Sequence, residues 1–193
     1  GEAVAVRHEG RANPHQLCYT PANAEALSAL LRTLKAAHRK RFGTTDDLFV
    51  GLQLTHSGRW SRPDPDRAAK PRIAFRHPVT DARVGALDPS AMLTDAELEG
   101  LIPDFVAAAK FAAEDGYDFV DVKCCHGYLL NELLAAHTRP GPYGGSFENR
   151  TRLFREIVAA IRRDAPGLHI GVRLSAFDLV PFRHPHEGEG TRG

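Results

Sequence analysis

The chain has 193 residues, 25 Lys and Arg against 24 Asp and Glu, 42% hydrophobic residues and three cysteines. That length supports one domain with a real core, and a formal net charge of +1 gives no electrostatic footing for nucleic acid or an anionic membrane. No run approaches the roughly 18 apolar residues of a membrane span, no signal peptide opens the chain, and three cysteines cannot build a disulfide framework, so the reading is a cytoplasmic globular protein.

The chain opens on Gly1-Glu2 and its single methionine is Met92, so it reads as a piece of something longer. Residues 2–6 (EAVAV) form a short apolar strand candidate. From Asn23 to Arg41, Leu27, Leu30, Leu31, Leu34 and Ala37 make the i, i+3, i+4, i+7 stripe of an amphipathic helix. It ends in cations at 38–41 with Gly43 beyond, where a helix C-terminus favours them. The nearly continuous apolar run 48–54 predicts a strand buried on both faces.

Residues 56–93 are proline-rich, charged and aperiodic, which predicts a long loop with a small hairpin near Arg72 to Arg76. Such a loop inside a compact domain is functional or mobile. Thr94-Asp-Ala-Glu97 reads as a capping box opening a helix with the stripe Leu98, Leu101, Ile102, Phe105, Ala109 and Ala112. Pro103 within that stripe predicts a kink or a delayed start, and Gly116 closes the helix. Residues 118–124 predict a third strand. A short apolar turn at 127–134, a glycine-rich loop, a helix over about 146–163 and a fourth strand at 169–175 follow, and 179–193 reads as an irregular charged tail.

Strands alternating with helices argue for a parallel sheet with right-handed crossovers. The absence of G-x-G-x-x-G and of G-x-x-x-x-G-K-[ST] speaks against the dinucleotide and P-loop versions. A complete (β/α)8 barrel takes about 250 residues, so four strands amount to about half of one. In a barrel the active site lies at the C-terminal strand ends. That rule selects Gln53, Thr55 and His56, then Lys123 and His126, then Arg173, Ser175 and Asp178. Polar and cationic strand ends in register point to a pocket for something anionic or rich in carbonyl oxygens; the plainer alternative is a satisfied polar plug.

Four blocks carry a resemblance: Gly51-Leu-Gln-Leu-Thr-His-Ser-Gly-Arg59, Asp121-Val-Lys-Cys-Cys-His-Gly-Tyr-Leu-Leu-Asn131, Tyr143-Gly-Gly-Ser-Phe-Glu-Asn-Arg150 and Gly171-Val-Arg-Leu-Ser175. Together they resemble the Old Yellow Enzyme family of FMN-dependent (β/α)8 oxidoreductases, over essentially the whole chain and in the family's order. The resemblance implies an α/β fold, an incomplete TIM barrel holding about strands two to five of eight, with residues 1–193 as a partial FMN-binding domain. It implies that Gln53 and Arg173 bind the flavin, that Lys123 and His126 anchor the substrate oxygen, and that Tyr128 delivers a proton. His56 and Arg59 are implied to shape the site rather than react. The implied reaction is two-step: NAD(P)H reduces FMN, and the flavin passes hydride to an alkene conjugated to a carbonyl or nitro group.

Lys123 departs from the family's usual imidazole and keeps a rival open, Schiff-base chemistry at a strand-end lysine. Amine dehydrogenation is the alternative within the family, with an iron–sulfur cluster and FAD in a region beyond the barrel. A non-catalytic truncated half-barrel, stable only by pairing with a complementary half or with itself, is the alternative outside it. The partner otherwise expected is a small-molecule substrate, and a homo-oligomer is compatible with the sequence. No metal is expected: Cys124 and Cys125 point to opposite faces of a strand, and His184, His186 and Glu187 lack further ligands nearby. Tyr143-Gly-Gly-Ser146 could cradle a phosphate but reads first as a structural turn fastened by Glu148 and Arg150.

Overall fold

Four parallel strands, β1 (Val4–Ala5), β2 (Gly51–Thr55), β3 (Phe119–Cys124) and β4 (His169–Leu174), form one sheet in the order 1-2-3-4. The computed structural model describes residues 2–176; Asp178 and the tail at 179–193, with His184, His186 and Glu187, lie outside them. Each strand sits beside its predecessor, so the order never reverses. That separates an arc of a barrel from a doubly wound sheet, which has a switch point. The helices among the described residues are α1 (Ala24–Phe42), α2 (Pro78–Val84), α3 (Asp95–Glu99), α4 (Ile102–Asp115), α5 (Leu129–Leu134), α6 (Phe147–Arg150) and α7 (Arg152–Asp164).

Strand alternation gives the sheet two unlike faces. On the outer face Leu54, Val120, Val122 and Cys124 are fully buried in the main core. The helices contribute Leu27 and Leu31 of α1, Phe105, Ala109 and Ala112 of α4, and Leu153, Ile157 and Ile161 of α7 to the same core. The alanines of α4 let α7 pack close against it. The inner face is built in layers. Gly51 registers with Phe119, and Phe119 with His169; the Phe119 ring fills the space over Gly51 and stacks on Phe49 at 5.1 Å. One layer higher lie Gln53, Asp121 and Gly171, and above them Lys123 registers with Arg173. The apolar run at 48–54 therefore hides a polar inner face on β2, and β4, at the sheet edge, leaves Val172 and Leu174 exposed.

The capping box forms: Glu97 N–H donates to Thr94 Oγ1 at 3.2 Å and Thr94 N–H to Glu97 Oε2 at 2.8 Å. Pro103 takes the first turn of α4 after a break at Gly100, so of the kink or delayed start expected there it is the delayed start that forms. The helix expected over 146–163 is divided at Thr151, whose hydroxyl donates back to Phe147 O at 2.9 Å.

The hairpin expected near Arg72 to Arg76 does not form. Ile73 instead pairs in parallel with Met92, with Ile73 N–H donating to Ala91 O at 2.8 Å and Leu93 N–H to Ile73 O at 3.0 Å. No turn residue between Arg72 and Arg76 reverses the chain there, so the pairing partner comes from farther along. The segment 56–93 is not structureless either. It holds α2, 3-10 turns at Gly58–Trp60 and Pro89–Ala91, and a small core of Ile73, Val84, Ala86 and Ala91.

The Tyr143-Gly-Gly-Ser146 turn is structural. Tyr143 is buried with its hydroxyl donating to Glu156 Oε2 at 3.1 Å, and Arg150 donates to Leu134 O and Gly145 O at 2.7 and 2.6 Å. A Cβ on Gly144 would lie 2.2 Å from Arg139 O, a backbone atom that cannot step aside. Gly145, at φ +79°, has open space around it. Gly144→Ala should therefore cost about 1–3 kcal/mol of stability through overpacking, and Gly145→Ala only the left-handed strain of about 1–2 kcal/mol. Urea unfolding midpoints of the two variants, with Gly144→Ala the lower, check this ranking.

Candidate active site

The inner face at the C-terminal ends of β2, β3 and β4 gathers the sequence-selected residues. Gln53 Nε2 donates to Asp121 Oδ2 at 2.6 Å across the β2–β3 register, which fixes the orientation of the amide. Thr55 Oγ1 and Asp121 Oδ1 are buried without a hydrogen-bond partner among the described residues. Lys123 is buried, 7% exposed, and its Nζ lies 3.8 Å from the centroid of the Tyr128 ring. Burial pushes its ammonium below the ordinary lysine range, with Arg173 on β4 adding to the effect. Arg173 itself is exposed at the sheet edge.

His126 stands differently from its expected partner Lys123. It is exposed at the apex of the turn after β3 and takes a left-handed backbone, φ +63°, a conformation uncommon outside glycine. Two bonds pin it: His126 N–H donates to Ser175 Oγ at 3.1 Å, and Gly127 N–H to Asn131 Oδ1 at 2.7 Å. Its imidazole is held below the usual histidine value by partial desolvation and by the Lys123 and Arg173 charges. So the imidazole and the ammonium share one electropositive neighbourhood, one from the rim and one from within. Tyr128 heads α5, and burial pushes its phenol above the ordinary tyrosine value, which keeps the proton on it at neutral pH.

His56 and Arg59 lie beneath this surface. The His56 carbonyl accepts from Leu129 N–H at 3.1 Å, its ring packs against Gly10, and its Nδ1 accepts from Gly58 N–H at 3.1 Å. Arg59 is buried between Asp81 and Glu132 and donates to Phe75 O at 2.9 Å. Both are buried away from the open inner face. The adjacent cysteines are free, buried thiols, with Cys124 pushed up to about 12 by desolvation. No group of three or more His, Cys, Asp or Glu among the described residues could hold a metal ion. Among them also, no helix is long and apolar enough to cross a membrane. The sequence alone missed Asp121, Asn131 and Glu132 as supporting residues; the signal was there for Asp121, two positions before Lys123 and so on the same face.

The family model described as NADH:flavin oxidoreductase / NADH oxidase matches residues 1–184. The chain belongs to that family. It is 32% identical over 185 residues to an NADPH dehydrogenase of Geobacillus sp. (strain WCH70), covering 93% of this chain and 48% of the relative. A putative 12-oxophytodienoate reductase-like protein of Arabidopsis thaliana is 33% identical over 128 residues, 65% of this chain and 40% of that one. Among solved structures, Old Yellow Enzyme from Pichia sp. AKU4542 superposes with a TM-score of 0.69 at 25% identity, covering 90% of this chain and 45% of that one. The chain thus spans about half the length of the curated relatives it matches, and the arc of sheet is part of a TIM barrel.

The burial of His56 has a measurable consequence. Desolvation first, then Arg7 and Arg72, lowers its pKa from 6.5 to about 3. The unfolded chain therefore takes up a proton below about pH 6.5 that the folded chain refuses, and stability falls as pH falls. The slope for this one group is about 1.4 kcal/mol per pH unit between the ordinary value and about 3. His56→Asn, which keeps an acceptor for Gly58 N–H, should flatten the wild-type loss of stability between pH 6 and pH 4.5. Urea midpoints of the two proteins at several pH values test it, and parallel curves contradict it.

Proposed function

We propose that this chain is part of an FMN-dependent oxidoreductase that uses NAD(P)H to reduce a C=C bond conjugated to a carbonyl or nitro group. The observation that carries the reading is the inner-face register itself, which sets Gln53 beside Asp121 and Lys123 beside Arg173. The fit to a flavin rests on the donor set, an amide oriented by a carboxylate, a guanidinium and an ammonium on one face. It rests also on Thr55 Oγ1 and Asp121 Oδ1, two buried oxygens of that face without a partner among the described residues. The NADPH dehydrogenase relative supplies the choice of reductant.

When bound, FMN would accept a hydride from NAD(P)H and give it to the β-carbon of the alkene. Gln53 would hold the polar edge of the ring through an amide that Asp121 keeps in one orientation, and Arg173 would place a cation beside it. Lys123 would donate to the substrate oxygen from within the barrel, and His126 from the rim. Negative charge builds on that oxygen as the β-carbon is reduced, so donors aimed at it act more strongly in the transition state than on the bound alkene. Tyr128, holding its proton at neutral pH, would deliver it to the α-carbon as a general acid.

The whole protein should be yellow as purified, bleach with NADPH and recover its colour when 2-cyclohexenone is added. A protein that stays colourless with added FMN overturns the reading. Tyr128→Phe should lower turnover of the enone by about 10²–10⁴-fold, the usual worth of a positioned general acid, while the flavin is still reduced at the wild-type rate. Slowed flavin reduction in that variant would instead remove Tyr128 from the proton-delivery role.

A further inference from the structure

The Lys123 ammonium poses a problem that the flavin reading leaves unanswered. It is buried, and no carboxylate among the described residues makes an ion pair with it, whereas the buried Arg59 and Arg139 each have at least one. The groups that face it do little to help. Asp121, on the same strand, gives one oxygen to Gln53 and draws the Lys123 value up only from a distance, without an ion pair, and Arg173, in register on β4, repels it. Glu2, ahead of β1, is exposed. His126 and the Cys125 thiol in the following turn complete the surroundings, and Cys125 is itself pushed above its ordinary value by burial. A desolvated cation without a directly paired counter-charge loses its proton or finds another partner.

The partner is the face of Tyr128, 3.8 Å from Nζ at the ring centroid, well inside the range where the ring quadrupole attracts a cation. The contact uses the ring rather than the hydroxyl, which makes no hydrogen bond among the described residues. The backbone that carries the ring is held in place. Tyr128 N–H donates to Cys125 O at 3.3 Å, its carbonyl accepts from Glu132 N–H at 2.8 Å, and Glu132 is tied to the buried Arg59.

We infer that the Tyr128 ring holds Lys123 in the barrel mouth as a charged ammonium, so that Tyr128 is a positioning residue for the substrate anchor as well as a proton donor. The oxidoreductase reading enters only in what Lys123 anchors. The charge-holding contact stands on the geometry alone. It gives this chain an ammonium where the resembling family usually has imidazole, and it matches that cation with a substrate oxygen that becomes anionic.

The test is competitive acetic anhydride labelling of the whole enzyme across pH, with the Lys123 peptide followed by mass spectrometry. Its reactivity profile reports the Lys123 pKa without any turnover. Tyr128→Phe keeps the ring and should leave that pKa unchanged. Tyr128→Leu removes the ring and should lower it by about half a pH unit to one and a half, the equivalent of a three- to thirty-fold loss of the charged form. A Tyr128→Leu profile that overlays the wild type overturns the inference, as does a Tyr128→Phe profile lowered as far as that of Tyr128→Leu. Where Tyr128→Leu fails to fold, Tyr128→Trp decides, because indole has the stronger quadrupole: a Lys123 pKa above that of Tyr128→Phe supports the contact, and one equal or lower overturns it. Enone turnover measured on the same wild-type sample reads the oxidoreductase proposal separately, so either can fail without the other.

Discussion

One buried guanidinium organises the end of the sheet where the chemistry is proposed. Arg59 comes from the turn after β2, and its fork reaches Asp81 on α2, Glu132 on α5 and the Phe75 carbonyl. Three stretches of chain far apart in sequence thereby meet at one buried group. A buried ion pair is weak as a net source of stability, yet removing one partner leaves the others charged and dry, at about 3–5 kcal/mol. Burial already pushes Glu132 up to about 7 against the pull of Arg59, so the carboxylate depends on that guanidinium for its charge. Arg139 repeats the device nearby, donating to Ala74 O and to Asp95 at 2.6 Å each.

This fastening matters because α5 begins at the turn that carries His126 and Tyr128. Glu132 lies one helical turn after Tyr128, whose ring covers Lys123, and Asn131 beside it holds Gly127 and so the left-handed His126. The parallel register does the rest. It brings Gln53 to Asp121 and Lys123 to Arg173 with no loop involved, so half of the site rests on rigid strands and half on a turn that α5 carries. Placing the proposed binding groups on strands and the proposed proton donor on a clamped helix start meets the demand that a site be held by its surroundings before substrate arrives.

The local patterns of the chain announce much of this. Periodicity finds the long helices, the capping box at Thr94 and the delayed start at Pro103, because those are decided within one or two turns of backbone. The strand-end rule selects Gln53, Lys123, His126 and Arg173 because alternation along a strand is strict. What the sequence hides is set by distance. Arg59 meets partners 22 and 73 residues away, and no spacing rule encodes such a meeting. Ile73 prefers Met92 to a local hairpin for the same reason. The apolar run at 48–54 reads as buried on both faces, whereas Gly51 and Gln53 are only half-buried on the inner side; hydropathy averages over the two faces that a strand keeps apart. Lys123 and His126, expected to anchor one oxygen together, stand differently, because a left-handed residue turns the imidazole outward while the lysine stays within.

The claim on which the rest depends is that Arg59 couples the long segment after β2 to the turn bearing His126 and Tyr128. Hydrogen exchange read by mass spectrometry on the whole enzyme tests it with Arg59→Lys, which keeps the charge and removes the fork. The account predicts that peptides from residues 72–93 and from residues 125–134 lose protection together and to a similar degree, while β2 and β3 keep theirs. Loss confined to the first segment, with the second as protected as in the wild type, would contradict it.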